Sequence, residues 1–165
     1  MAESADKVES EHVQGGLTEE EKRANVLRLA FGGDEERFAH FCRLIREEVP
    51  PGTRVVLRGS AVTGQRWKDG APFDSDGPGT SDLDLTLVGE DAVALFKATG
   101  FFVPGIHSRP VSEDDPDIAP ALIPLREALM VLAARPVNIQ GSRDVVIRFR
   151  GDLLDQPYFT LIEQT

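Results

Sequence analysis

Two aspartates, Asp82 and Asp84, stand two residues apart at the start of an otherwise apolar run, SDLDLTLV. Aspartate is depleted in strands because its side chain competes for backbone hydrogen bonds, so a pair of them calls for a reason. Polar and apolar residues alternate here with a period of two. This alternation predicts a strand with both carboxylates on one face and the leucines on the other.

Such a pair of carboxylates repels unless something compensates the charge. At the rise of a strand the two acids would lie about 7 Å apart, and at an effective dielectric constant near 20 their repulsion is about 2 to 3 kcal/mol. Mg²⁺ prefers oxygen ligands, often one or two carboxylates completed by water and substrate phosphates. We therefore expect Asp82 and Asp84 to bind Mg²⁺ and to serve phosphoryl or nucleotidyl transfer. The alternative for the pair alone is a solvent-facing strand edge protected by charge.

A second segment, LRGSAV at 57–62, suits phosphate binding. Gly59 follows a predicted strand and lets a ligand approach the backbone, while Ser60 opens a helix whose first N–H groups are free. Arg66 lies close enough in sequence to contact a phosphate bound there. The alternatives are that Ser60 is only a helix cap and that Arg66 is a solvated surface charge.

The elements that position these residues follow from hydrophobic spacing and capping residues. Thr18, with Glu21 three residues on, forms a capping box ahead of a first helix that stops at Gly32. Asp34 caps a second helix, which the prolines at 50 and 51 close. Further helices are predicted at 90–100 and 121–135, strands at 53–59, 82–88, 136–140, 144–150 and 157–163, and loops at 68–79 and 101–120. Mixed strands and helices predict a sheet covered by helices.

Composition narrows the class of protein and of partner. The chain has 165 residues and a formal net charge of -10, which argues against long nucleic acid and favours a small molecule or a protein as partner. One cysteine, Cys42, allows no internal disulfide, and neither a signal peptide nor a membrane-spanning run is visible. We expect a cytoplasmic protein with a flexible polar tail at 1–17 and a single domain at 18–165.

The order of these motifs resembles that of a known family. A glycine and a serine after one strand, Gly59 and Ser60, followed by Asp82 and Asp84 on the next, are similar to the DNA polymerase β-like nucleotidyltransferase superfamily in its stand-alone bacterial form. The resemblance covers roughly 34–165, but its specific part is these two segments. It implies an α+β nucleotidyltransferase fold, with a mixed β-sheet and helices packed mainly on one face.

The same resemblance implies roles for individual residues. Gly59 and Ser60 would bind the phosphates of a nucleoside triphosphate such as ATP. Asp82 and Asp84 would bind one or two Mg²⁺ ions. The reaction implied is transfer of a nucleoside monophosphate to a hydroxyl of an unidentified acceptor.

The family also has a third catalytic carboxylate on a later strand, and here its identity is open. Asp144, which opens the segment DVVIRFR, is the candidate we favour. Asn138 in PVNIQ has the expected apolar-polar-apolar setting, but an amide is a weaker Mg²⁺ ligand, and Glu163 is a third candidate. If none of the three faces the metal, the domain is a catalytically degraded module that binds a nucleotide or a protein partner.

Overall fold

A computed structural model describes residues 16–163, which form an α+β fold around one six-stranded mixed sheet. The strands are β1 (Arg54–Arg58), β2 (Leu83–Val88), β3 (Phe101–Val103), β4 (His107–Ser108), β5 (Val137–Ser142) and β6 (Tyr158–Ile162). The helices are α1 (Glu19–Phe31), α2 (Glu35–Glu48), α3 (Ser60–Thr63), α4 (Glu90–Val93), α5 (Ile123–Ala133) and α6 (Asp144–Arg148). Short 3-10 helices occur at Ala98–Gly100 and Pro120–Leu122, and a π-helical turn at Phe149–Leu153.

The sheet order is β3-β4-β5-β2-β1-β6. β2 and β5 run parallel, whereas β1 is antiparallel to both β2 and β6. The tail predicted at 1–17 lies outside the described residues except for Gly16 and Leu17.

The first two helices begin where their capping residues predict. Thr18 Oγ1 accepts a hydrogen bond from the Glu21 amide at 3.1 Å, and Asp34 Oδ1 accepts one from the Arg37 amide at 3.0 Å. Each bond satisfies an N–H that the helix itself leaves unpaired. α1 ends at Phe31 and is capped by Gly32. Gly32 has a left-handed backbone conformation, which residues with a side chain rarely adopt.

Helices cover one face of the sheet and leave a polar stripe on the other. Apolar side chains of α1, α2 and α5 pack against inward-facing strand residues in one continuous core. The strand residues in that core include Val55, Leu57, Leu83, Leu85, Leu87, Val137 and Ile139. Their neighbours one position along point to the opposite face, where α6 covers only part of the sheet through Ile147, packed on Val56 and Val88. The acids at 82 and 84 belong to this second face.

The prediction of a strand at 144–150 is wrong. The segment instead forms α6 and enters the π-helical turn Phe149–Leu153. Its β-branched residues favour a strand, but burial of Ile147 and the Asp144–Arg148 ion pair one helical turn apart favour the helix. Tertiary packing therefore outweighs local propensity here.

Two other segments differ in detail from the sequence-based expectation. The helix predicted at 90–100 is only α4 followed by turns and a short 3-10 helix. The segment 101–120, predicted as irregular, supplies β3 and β4 at the edge of the sheet. Within residues 16–163 no helix is both long and apolar enough to cross a membrane.

Candidate functional site

Three adjacent strands bring one residue each to the centre of the polar face. Asp84 on β2 stands opposite Arg58 on β1 and opposite Asn138 on β5. The antiparallel and parallel pairings on the two sides of β2 therefore place a cation and an amide on either side of one carboxylate.

Asn138 joins the two aspartates. Its Nδ2 donates to Asp82 Oδ2 at 2.6 Å and to Asp84 Oδ1 at 3.1 Å. Because one amide reaches both carboxylates, the two lie on the same face of the sheet, as the alternation in the sequence predicts. An amide hydrogen bond lowers the repulsion between two carboxylates but adds no positive charge.

Asp84 is poorly compensated for a partly buried acid. Burial, together with the charge of Asp82, raises its pKa to about 6, although the Asn138 hydrogen bond and the Arg58 charge act in the opposite direction. Gly59 touches the same carboxylate: its φ is 94°, and a Cβ at this position would come within 3.2 Å of Asp84 Oδ2. Only glycine leaves this side of the acid open.

A cavity of about 730 Å³, here called the large cavity, opens on this side of Asp84. Its volume falls within the range that small ligands occupy. Its lining residues are Leu17, Arg58, Gly59, Thr63, Gln65, Arg66, Trp67, Gly70, Asp84, Asp155, Gln156 and Pro157. Trp67 is 71% exposed, so its ring is free to stack on a ligand.

The predicted phosphate-binding residues meet this cavity unequally. Gly59 lines the large cavity. Ser60, the first residue of α3, is buried and is not among the lining residues. Arg66 reaches the wall, but its guanidinium pairs with Asp69 and Asp76, each at 3.1 Å. An exposed, doubly paired arginine is first of all part of the loop structure.

Two of the three candidates for the third ligand, Asp144 and Glu163, lie away from Asp82 and Asp84. Asp144 pairs with Arg54 at 3.0 Å and with Arg148 at 2.6 Å, and Arg54 stands opposite Val88, at the end of β2 farthest from Asp82. Glu163 follows β6, whose last residues also pair near that end of β1. The structure therefore does not bring Asp144 to Asp82 and Asp84, and the position next to Asp84 belongs to Asn138.

A polar network beside the acids was not predicted from the sequence. Gln140, two residues after Asn138, accepts a hydrogen bond from Arg58 Nη2 at 3.1 Å. Its own amide nitrogen contacts His107 Nε2 at 3.1 Å, and Arg150 Nη2 contacts the same His107 nitrogen at 3.1 Å. The period-two spacing of Asn138 and Gln140 could have indicated a shared face. His107 and Arg150 come from segments interpreted as a loop and a strand.

The donor set fits Mg²⁺ in part. Two carboxylates within reach of one amide, one of which lines the large cavity, are a common protein contribution to a magnesium site. Across residues 16–163, however, no group of three His, Cys, Asp or Glu side chains is arranged to hold a metal. Asp82 and Asp84 would therefore be the charged ligands, with water and substrate oxygens supplying the others.

Comparisons of the chain with family models, with curated proteins and with solved structures found no match.

Proposed function

We propose that this protein binds Mg²⁺ and a nucleoside triphosphate and transfers the nucleoside monophosphate to a hydroxyl of an acceptor. The observation that carries the proposal is the pair Asp82 and Asp84 joined by one amide, with the under-compensated Asp84 lining the large cavity beside the open backbone of Gly59. A perturbed acid that faces a cavity is typical of functional sites.

Each group has a distinct task in this proposal. Asp82 and Asp84 would hold Mg²⁺, which neutralises charge on the reacting phosphate when it is bound. The Gly59 turn lets the phosphates approach the backbone, and Arg58 supplies a cation beside them. Trp67 offers a flat apolar surface to the base. Asn138 holds the two carboxylates in place through its two hydrogen bonds.

Titration calorimetry of ATP with and without Mg²⁺ tests the proposal. We expect binding that requires Mg²⁺ and that the double variant Asp82→Ala, Asp84→Ala loses. Asp91→Ala, which removes an exposed acid of α4 that does not line the large cavity, is the matched control. Equal affinity of wild type and double variant would refute the proposal.

A second candidate function rests on Asn138. An amide is a weaker Mg²⁺ ligand than a third carboxylate would be. Its hydrogen bonds to Asp82 and Asp84 also stabilise the two acids without a metal ion. This favours a module that binds nucleotide, or a protein, without turnover. Incubation with α-labelled ATP and cell extract separates the candidates: labelled product that disappears in the aspartate variant supports the enzyme, and Mg²⁺-dependent binding without product supports the module.

A further inference from the structure

A second cavity, here called the small cavity, lies on the other side of Asp84. Its volume is about 260 Å³. Its lining residues are Arg58, Asp84, Leu85, Phe102, Pro110, Asn138, Gln140 and Arg150. Arg58 and Asp84 line both cavities, so a ligand in one meets the same carboxylate as a ligand in the other.

Two arginines, Arg58 and Arg150, line the small cavity together with a single carboxylate, Asp84. Neither Arg58 nor Arg150 forms an ion pair within the described part of the chain, and Arg58 Nε is buried without a hydrogen-bond partner. Burial lowers the pKa of both side chains; the charge of Arg150 lowers that of Arg58 further, whereas the charge of Asp84 raises it. One carboxylate beside two partly buried arginines leaves positive charge that a bound anion would compensate.

Neutral and polar groups hold these arginines in place. Burial and the two nearby guanidinium charges lower the pKa of His107 to about 4, so its ring is neutral near pH 7. Its Nε2 then accepts from Arg150, and the opposite nitrogen, Nδ1, lies 2.9 Å from Ser142 Oγ. Gln140 anchors Arg58 in the same way. The network holds two positive charges beside the one carboxylate of Asp84, so one positive charge remains for a ligand to compensate.

Two apolar residues flank the charged groups of the small cavity. Phe102 is 63% exposed and stacks on His107, with ring centroids 6.2 Å apart, and Pro110 also lines the cavity. The volume is below that of most drug-sized sites, which favours a small ligand. The ligand that fits is therefore small and anionic.

We propose that the small cavity is the acceptor site, and that the acceptor is a small hydroxyl compound carrying a phosphate or carboxylate that binds Arg58 and Arg150. This assignment rests on the proposed function, because an acceptor presupposes nucleotidyl transfer. The anionic group would lie against the arginines, and the hydroxyl would reach Asp84, the group shared with the large cavity.

The transfer step then balances within the two cavities. The acceptor hydroxyl oxygen forms a bond to the α-phosphorus of the nucleotide, and the bond from that phosphorus to the oxygen bridging to the β-phosphorus breaks. Pyrophosphate leaves with the electron pair of the broken bond. The hydroxyl proton passes to solvent water. No oxidant or reductant is involved.

The test is an NMR titration of the whole chain with three probes: glycerol 3-phosphate, glycerate and glycerol, without nucleotide or Mg²⁺. We expect shifts of the Phe102 and Gln140 amides with one or both anions and none with glycerol, and the anion that shifts them names the acceptor's charged group. Arg150→Gln should weaken the binding about 10-fold or more, because a charge-assisted hydrogen bond is lost. Arg148→Gln removes the same charge two residues away, where it pairs with Asp144, and should change the affinity less than about 2-fold.

Several results would overturn the assignment. Anion affinity unchanged in Arg150→Gln, no shift with either anion, or equal shifts with glycerol would each do so. Displacement of glycerol 3-phosphate by Mg·ATP would show that the cavity holds nucleotide phosphates instead. Should Arg150→Gln not fold, the wild-type shift map decides. A parallel Mg·ATP titration keeps the proposals apart: nucleotide binding without anion binding overturns only the acceptor site, and anion binding without nucleotide binding overturns the transferase.

Discussion

Two aspartates ten residues apart have opposite surroundings. Asp74, in the loop at 68–79, accepts hydrogen bonds from Arg135 at 2.8 and 3.1 Å and from the backbone amides of Gly79 and Ser81. Although burial raises its pKa, these partners outweigh that effect and lower the pKa to about 2. Asp84 accepts a hydrogen bond from Asn138 and stands opposite Arg58, but burial and the charge of Asp82 outweigh both and raise its pKa to about 6.

The two aspartates therefore have opposite effects on stability: ionised Asp74 stabilises the folded state and ionised Asp84 destabilises it. A carboxylate with a lowered pKa stabilises the folded state when ionised, and one with a raised pKa destabilises it. Asp74 ties the long loop to Arg135 at the end of α5, with Phe73 packed 4.5 Å from the guanidinium. Asp84 contributes no such tie, which is why we assign it to ligand binding.

The largest expected effect is on nucleotide binding. Asp84→Asn keeps the shape of the side chain but removes the charge, so we expect the affinity for Mg·ATP to fall about 1,000-fold, or ~4 kcal/mol. Asp74→Asn should change that affinity less than about 3-fold, since the acid faces Arg135 rather than the cavity. Calorimetric titration measures both. Similar losses in the two variants would end the distinction.

Stability at pH 7 should move in opposite directions in the same two variants. Asp84→Asn is expected to raise the free energy of unfolding by up to about 3 kcal/mol, because the raised pKa destabilises the ionised form. Asp74→Asn should lower the free energy of unfolding by about 2 kcal/mol, because Arg135 loses its carboxylate partner, although its hydrogen bond to the Ser81 carbonyl remains. Urea unfolding gives both values, and a destabilised Asp84→Asn protein would contradict the account.

The pH dependence sharpens the comparison further. The folded protein holds a proton on Asp84 more tightly than the unfolded chain does, so its stability recovers as the pH falls through 6 towards the ordinary aspartate value. The stabilising effect of Asp84→Asn should shrink from about 3 kcal/mol at pH 7 to about 1.5 kcal/mol at pH 5.

Two internal checks accompany that measurement. The contribution of Asp74 stays nearly constant over this range, because both its folded and unfolded pKa values lie well below 5. The pKa of His107 is lowered to about 4, so this residue destabilises the folded protein as the pH falls below 6.5. Because every variant contains His107, its contribution cancels when the free energies of unfolding of two variants are compared. A difference between wild type and Asp84→Asn that does not vary with pH would contradict a raised pKa.

A smaller effect is expected from restoring a third carboxylate. Asn138→Asp places an acid beside Asp82 and Asp84 and removes the amide that bridges them. Mg²⁺ affinity should rise about 10-fold while stability without Mg²⁺ falls by about 1 to 2 kcal/mol. Mn²⁺ titration followed by EPR measures the affinity. Unchanged Mn²⁺ binding would indicate that the side chain at 138 does not face the ion.

Much of the scaffold could be predicted from local signals. Thr18 and Asp34 mark helix starts because a side-chain oxygen next to free amides acts locally, and the alternation around Asp84 predicts β2 for the same reason. α6 was missed because its outcome depends on Ile147 packing against two distant strands. No local pattern contains that information.

The site divides in the same way. The aspartate pair and Gly59 stand out as short motifs, so they could be singled out from sequence. Asp144 was favoured as the third acid only because 144–150 was interpreted as a strand, and with α6 in its place the acid pairs with Arg54. His107 on β4 and Arg150 in the π-helical turn meet through tertiary packing, which residue spacing does not reveal.

A crystal soaked in Mn²⁺ and ATP shows whether the two acids bind a metal ion. We expect an anomalous scattering peak within bonding distance of carboxylate oxygens of both Asp82 and Asp84, with phosphate oxygens completing the ion's ligands. ATP bound in the large cavity with no peak at these two acids would refute the proposed metal site.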